Sequence, residues 1–423
     1  MLIELPYGKS KQVLNLPSSR IRSVLEGTLD AYIPSADEET LIRSSIEHPI
    51  DSKPLHVLAR GKQNVVIICS DHTRPVPSRL IIPLMLQDIR KGNPEANVTL
   101  LIATGCHRST SRDELIRKFG PEIVSRENII IHHCEDESNL LDIGTLPSGG
   151  MLSINRKVCE ADLVVAEGFI APHFFAGFSG GRKSILPGIA SQACVRYNHN
   201  SAFMDDPNAR AGVLDGNPIH QDMLYAASLA SLSFIVNVVL NSHKQVIASY
   251  AGHFDKAHRA GAAFVAQQMQ CEKAPAPIVI STNNGYPLDQ NVYQMAKAAS
   301  TAALTCTEGG VIILAGECAD GIGGENFYHE LKHCTSCADL LQRYRSVPAQ
   351  DTAADQWQVH ILAKIIAKHP VILVSSIKPE LIREMKMLPA ATIDEALQLA
   401  EALLGDPCAP VTVIPEGISV IIK

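Results

Sequence analysis

The sequence predicts an α/β protein of two domains, each built on a parallel-rich sheet. Three observations carry this reading. Short apolar runs alternate with amphipathic stretches along nearly the whole chain, the pattern of repeated strand–helix–strand units. The 423 residues exceed the roughly 100–200 that one hydrophobic core usually organises. A proline-punctuated segment, Lys273–Pro277 (KAPAP), separates two series of such units.

In the first series, Asn64–Ser70 (NVVIICS) reads as a buried strand and Arg79–Arg90 as the helix after it. Asn97–Thr104 is the next strand. Ser111 and Glu114 form a capping box that starts a helix through Phe119, stopped by Gly120. Asn128–His132 and Asp162–Ile170 are further strands, and Ser233–Leu240 with Gln245–Tyr250 forms a hairpin turned at Asn241–Lys244. The second series contains strands at Pro277–Ser281, Val311–Ala315 and Val371–Ser375, and helices at Asn291–Cys306 and Gln356–His369. Thr392 and Glu395 cap a last helix that ends at Gly405. The expected domains are residues 1–270 and 274–407. The final strands, Val411–Ile414 and Val420–Ile422, can close either one, and residues 408–423 are a candidate completion of the first.

Composition narrows the function classes. Hydrophobic residues make up 46% of the chain and charged residues 19%, which suits a large buried core rather than disorder. With 37 Lys and Arg against 44 Asp and Glu, the net charge is −7. That balance disfavours a nucleic-acid or anionic-membrane partner. No uncharged apolar run reaches the ~18 residues of a membrane-spanning helix. The start, MLIELPYGKSKQ, lacks the basic stretch and apolar run of a signal peptide. The expectation is a soluble, cytoplasmic protein. Its 11 cysteines are odd in number and show no disulfide spacing, so they are expected to be reduced thiols.

In open parallel sheets, ligands bind beyond the carboxyl ends of the strands. Four strand ends here carry polar or glycine-rich turns: Asp71-His72-Thr73-Arg74, Gly105-Cys106-His107-Arg108, Pro172-His173 followed by Gly177–Lys183, and Asn283-Asn284-Gly285. Their shared position points to one site. His107 and His173 on two such ends suit a pair of general bases near neutral pH. Each piece also has a plain structural reading: Asp71 as a helix cap, either histidine as a satisfied loop residue. Gly180-Gly181-Arg182-Lys183 groups backbone N–H donors with cations, as phosphate-binding turns do. It meets neither the P-loop nor the G-x-G-x-x-G pattern and could be a tight turn.

His199 reads either as a metal ligand or as a buried hydrogen-bonded histidine. His329, His333, Cys334 and Cys337 supply only half of a zinc pattern and equally suit a helix face. Gln294 and Lys297, one turn apart at the start of a helix, are placed to meet an anion. Arg74 and Lys297 could hold a carboxylate between the domains. Trp357, the single tryptophan, is either core or cleft lining.

Taken in order, SDHTRPVPS, ATGCHR, APHFFAGFSGGRKSILPGIA with YNHN after it, and NGYPLDQNVYQMAKA resemble the nickel-dependent lactate racemase family over most of the chain. The resemblance implies two α/β domains with the active site in the cleft between them. It implies a nickel-pincer nucleotide, attached covalently at the position of Lys183, with His199 as the protein's nickel ligand. Asp71, Thr73, Gly180, Gly181 and Arg182 fall where that cofactor is held. Arg74, Tyr293, Gln294, Lys297 and Trp357 fall where the substrate pocket is built. His107 and His173 match the two catalytic histidines. The implied reaction is racemisation of a 2-hydroxy acid such as lactate or malate, by hydride removal and return. The implied partners are the small-molecule substrate and the proteins that build the cofactor. A pyridine-nucleotide oxidoreductase and a non-catalytic cofactor carrier are the competing readings.

Overall fold

The computed structural model describes residues 1–423 as two α/β units. The chain opens with a hairpin, β1 (Leu2–Tyr7) against β2 (Ser10–Asn15), and a short strand, β3 (Ile21–Val24). The first sheet then uses β4 (Asn64–Ser70), β5 (Asn97–Ala103), β6 (Asn128–Ile131), β7 (Leu163–Phe169), β8 (Leu232–Leu240) and β9 (Val246–Gly252). Their order in space is β9-β8-β7-β4-β5-β6. All neighbours are parallel except β8 and β9, which form the expected hairpin.

Alternation along β4 shows why this sheet is buried on both faces. Val65, Ile67 and Cys69 enter one apolar cluster and Val66 and Ile68 the other. The capping box at Ser111 and Glu114 is present, and its helix runs Arg112–Phe119. From β4 the chain proceeds outward to β5 and β6, whereas β7 starts the opposite direction through β8 and β9. The strand order therefore reverses between β4 and β7, and a doubly wound sheet binds its ligand at that point.

The second sheet comprises β10 (Ala276–Thr282), β11 (Cys306–Ala315), β12 (Val371–Val374), β13 (Leu388–Ala390) and β14 (Val411–Ile414), with β3 on its edge. The order is β13-β12-β11-β10-β14-β3, all parallel. It reverses between β10 and β14, giving a second switch point. β11 begins five residues before the expected Val311, and the preceding helix stops at Ala303 rather than Cys306.

Contrary to the expected division, the N-terminal hairpin and β14 lie outside the first unit, whereas Ile421 packs with Phe178, Val239 and Met269 of it. Ile3, Leu5, Leu14 and Leu16 pack with Ile278, Ile280, Val411 and Val413 in the second unit. Asp289 accepts the Gly8 N–H at 2.7 Å and the Glu317 N–H at 3.0 Å, fastening the hairpin there. Residues 411–414 likewise belong to the second sheet, not the first. The physical reason is the apolar face of β10 and β14, which needs a cover that no helix of the first unit supplies.

Leu5 is fully buried in that cover. Leu5→Ala should lower the unfolding free energy by about 2–5 kcal/mol, read as a lower urea midpoint at unchanged m-value.

Candidate active site

Asp71 follows β4 at the first switch point and is 1% exposed. Its Oδ1 accepts the Thr73 backbone N–H at 3.2 Å and hydroxyl at 2.7 Å. Its Oδ2 lies 2.7 Å from Nδ1 of His107, which follows β5. Burial alone would raise the Asp71 pKa, but the His107 and Thr73 hydrogen bonds and the nearby Arg74 hold it below its ordinary value. A carboxylate so placed accepts the Nδ1–H and leaves His107 Nε2 as the free base. Lys118, from the capped helix, reaches back to the carbonyls of Arg74 and Val76 and steadies this loop.

A residue that the sequence reading missed supports this corner. Glu167, buried on β7, accepts the Ser70 N–H at 3.2 Å and the Ser78 hydroxyl at 2.6 Å. Burial pushes its pKa up. The available signal was one acidic residue inside the apolar run LVVAEGF.

Beyond β7 the chain folds into a small hairpin, Pro172–His173 against Gly177–Phe178. The Ala176 N–H donates to His173 Nδ1 at 3.2 Å, so Nε2 is the atom facing Lys183 Nζ, 3.3 Å away. Burial, then the neighbouring cations, push His173 well below the usual histidine range. Burial and Arg182, Arg74 and Lys297 likewise push Lys183 well below the usual lysine range. His173 therefore stays neutral at pH 7, and Lys183 gives up its proton more readily than a free lysine, which favours its nucleophilic amine form.

The Gly180–Lys183 turn is shaped by close approach. Gly180 and Gly181 have φ of +79° and +55°. A Cβ at Gly180 would lie 2.6 Å from Asn237 Oδ1, and one at Gly181 2.8 Å from the His258 ring. Arg182 points inward, not into the cleft. It is 1% exposed and donates to the carbonyls of Ala176, Phe178 and Gly180. The structure therefore separates the expected cofactor set: Gly180 and Lys183 line the cleft, while Gly181 and Arg182 lie behind it.

His199 caps the C-terminus of α1 (Gln192–Asn198). Its Nδ1–H donates to the Val195 carbonyl at 2.8 Å, which leaves a lone pair on Nε2. Its ring packs edge-on to Phe175 and Trp357, both at 5.1 Å between centroids. Burial and Lys183 push its pKa down to about 3. From the second unit, α2 (Val292–Ala303) presents Tyr293, Lys297 and Thr301 to the same cleft. The spacing of four residues makes one stripe. Gln294 lies off that stripe and does not line the cleft, contrary to the sequence expectation. Tyr293 donates its hydroxyl to Asp355 Oδ1 at 3.0 Å. Burial and Arg74 push Lys297 down to about 8.

The cleft, about 1650 Å³, collects Asp71, Thr73, Arg74, His107, His173, Gly180, Lys183, His199, Tyr293, Lys297 and Trp357. No group of three His, Cys, Asp or Glu side chains could hold a metal alone. At the other candidate cluster, His329 and His333 stack at 5.7 Å, Cys334 donates to Leu331 O and Cys337 is buried. All 11 cysteines are free thiols. No helix is long and apolar enough to cross a membrane.

Together these features define a two-domain α/β protein whose cleft joins the imidazoles of His107, His173 and His199 with Lys183 and two further cationic side chains, Arg74 and Lys297. The comparisons with known proteins agree. The lactate racemase N-terminal domain family matches residues 7–212, and the lactate racemase C-terminal domain family matches residues 271–422. The chain belongs to the lactate racemase family. It is 50% identical over 422 residues to the lactate racemase of Thermoanaerobacterium thermosaccharolyticum and 45% identical to that of Lactiplantibacillus plantarum, covering 100% of this chain and 99% of each relative. The lactate racemase apoprotein structure from T. thermosaccharolyticum superposes over 100% of both chains with a TM-score of 0.97 at 49% identity. A Thermotoga maritima structure shares the fold at 18% identity, with a TM-score of 0.67 over 93% of this chain and 100% of that one.

Asp71→Asn keeps the shape of the side chain but no longer enforces the Nδ1–H tautomer of His107. Turnover of the loaded enzyme should fall by about 10²–10⁴-fold with unchanged far-UV circular dichroism.

Proposed function

We propose that this protein is a lactate racemase-type isomerase that inverts the Cα of a 2-hydroxy acid, with lactate as the first substrate to test, and that it works with a nickel-pincer nucleotide. The full-length likeness to two lactate racemases supports the reaction class. One observation carries the mechanism: two differently held imidazoles, His107 and His173, enter one cleft from β5 and β7, the strands on either side of β4 at the first switch point.

The chain's own residues fit the cofactor. Lys183 lines the cleft half-buried with its pKa held well below the usual lysine range, which favours the free amine that a covalent bond to it requires. His199 has its Nδ1–H tied to a backbone carbonyl and its Nε2 lone pair free, the condition of a metal-ligating histidine. The absence of a three-residue donor cluster fits a metal whose remaining donors come from the cofactor. Asp71, Thr73 and Gly180 line the adjoining wall.

When bound, the cofactor supplies a hydride acceptor, which spares the reaction a carbanion beside a carboxylate. Around it, Arg74 and Lys297 hold the substrate carboxylate. His107 Nε2, kept basic by Asp71, takes the hydroxyl proton of one enantiomer and returns it on the reverse passage. His173, uncharged and half-buried among cations, is given the same part for the other enantiomer; its Nδ1 accepts the Ala176 N–H here, so taking a proton at Nε2 requires the Nδ1–H tautomer and release of that contact. Tyr293 and Trp357 close the side of the cleft that meets the substrate's own side chain. We place assembly of the loaded enzyme with separate cofactor-building proteins.

The test is a chiral assay of loaded enzyme against lactate, malate and larger 2-hydroxy acids. His107→Ala and His173→Ala should each lose at least about 10²-fold in both directions while retaining a covalent adduct by intact mass, and Lys183→Ala should lose the adduct. Near-full turnover in either histidine variant, or net release of reduced nicotinamide, would overturn the reading.

Lys297 gives the pH dependence. Its depressed pKa means that it is cationic below about 8 and loses its proton above. The kcat/KM for lactate should therefore fall as pH rises through that value. Lys297→Arg, always protonated, should shift the fall to higher pH.

A further inference from the structure

We propose that Asp205 is a positioning residue: it latches the segment after His199 to the helix that carries Trp357, and so sets the contact between those two rings. That the contact serves a nickel ligand rests on the function proposed above; the latch itself does not.

The observations form a chain across the junction between the units. Immediately after His199, Asn200 caps a one-turn helix, Ser201–Asp205, by accepting the Phe203 N–H at 3.0 Å. In the second unit, α3 (Gln356–Ile366) begins one residue before Trp357. Gln356, His360 and Lys364 repeat every four residues, so they form one stripe along this helix. Each of them meets the short helix. Gln356 donates to Ser201 Oγ at 3.0 Å, His360 Nε2 lies 3.0 Å from Asp205 Oδ1, and Lys364 donates to the Met204 carbonyl at 3.0 Å. Arg345, from a neighbouring helix of the second unit, adds an ion pair to Asp205 Oδ2 at 2.7 Å.

Asp205 thus gathers three basic side chains of one unit on a single carboxylate of the other. The imidazole is the telling partner. His360 has no side-chain exposure, and its Nδ1 is buried without a hydrogen bond. Asp205 is therefore the only hydrogen-bond partner of that ring. Losing it would leave both ring nitrogens unpaired in the interior, a costly outcome. Three contacts four residues apart also fix the rotation of α3 about its axis. Trp357 follows Gln356 by 100° of helical turn, and its ring then meets His199, only two residues before Ser201, at 5.1 Å.

Trp357 is the single tryptophan, so its fluorescence reports this contact without interference. The experiment uses the full-length protein, first without cofactor and then loaded. Asp205→Asn removes the charge and turns one acceptor into a donor facing Arg345. Its Trp357 emission should move to longer wavelength and become more accessible to acrylamide. His360→Leu should do the same, while His360→Gln, which keeps a donor for Asp205, should restore the parent spectrum. In loaded enzyme, kcat should fall about 10–100-fold, as for other outer partners of a metal ligand, with a smaller change in KM. Asp215→Asn, which cuts the surface ion pair to Arg259, is the control and should leave emission and kcat unchanged.

Unchanged Trp357 emission and accessibility in both Asp205→Asn and His360→Leu would overturn the latch, as would an equal shift in the Asp215→Asn control. If Asp205→Asn does not fold, the His360 pair decides the question alone. Because the spectra are read without cofactor, a failure of the racemase reading leaves the latch standing, and the reverse also holds.

Discussion

The cleft crowds basic groups together, with His173, Lys183 and Lys297 half-buried inside it and Arg74 and His107 at its mouth. Arg74 and Lys297 lie close enough to depress the proton affinity of His173 and Lys183, Arg74 does the same to Lys297, and Arg182 adds to the field from behind. Asp71 is the buried carboxylate that meets them at the strand ends, and it is committed to His107. A low-dielectric pocket cannot keep so many positive charges. It resolves the conflict by pairing the buried Arg182 with backbone carbonyls, by leaving His173 and His199 uncharged, and by weakening the hold of Lys183 on its proton. The chemistry assigned to these residues, a base, a metal donor and a nucleophilic amine, needs the uncharged form in each case. Burial and function thus make the same demand.

The scaffold bears the cost of that crowding in backbone rather than in side chains. Asn237 accepts the Gly181 N–H at 2.7 Å, and the His258 ring sits under the same glycine. Arg182 spends its guanidinium on three carbonyls of the turn. The loop that carries Lys183 is consequently held from below by Asn237, His258 and Arg182, which leaves its upper face open to the cleft. In the second unit the equivalent work is done by helical spacing, with Tyr293, Lys297 and Thr301 on one stripe of α2.

Much of this was legible in the sequence, and the exceptions share a cause. Periodicity gave the strands and caps of both units, because burial on two faces writes unbroken apolar runs such as NVVIICS. Strand ends told where polar residues would collect, and Asp71, His107 and His173 do meet in one cleft. Three features were hidden because they depend on direction rather than composition. Gln294 and Tyr293 are adjacent in sequence but a third of a helical turn apart, and only Tyr293 faces the cleft. Arg182 reads as a cation for a ligand, yet it folds inward onto carbonyls. The N-terminal hairpin looks like part of the first unit by proximity in sequence, and only three-dimensional packing of Leu5 and Leu14 on β10 and β14 shows otherwise.

That hairpin carries a consequence for how the molecule is made. β3, at residues 21–24, pairs only with β14, at residues 411–414. β3, which follows the hairpin, therefore waits for nearly the entire polypeptide to be synthesised before it has a neighbour. The first sheet, drawn from residues 64–252, pairs with no strand from either terminus, so its hydrogen-bonded ladder can form while the ribosome is still working. The second sheet closes last, by insertion of β14 between β10 and β3, and brings the two ends of the chain to adjoining strands. Birth order and sheet order are thus decoupled, and the loop that carries Lys183 is synthesised before the residues of α2 that face it across the cleft.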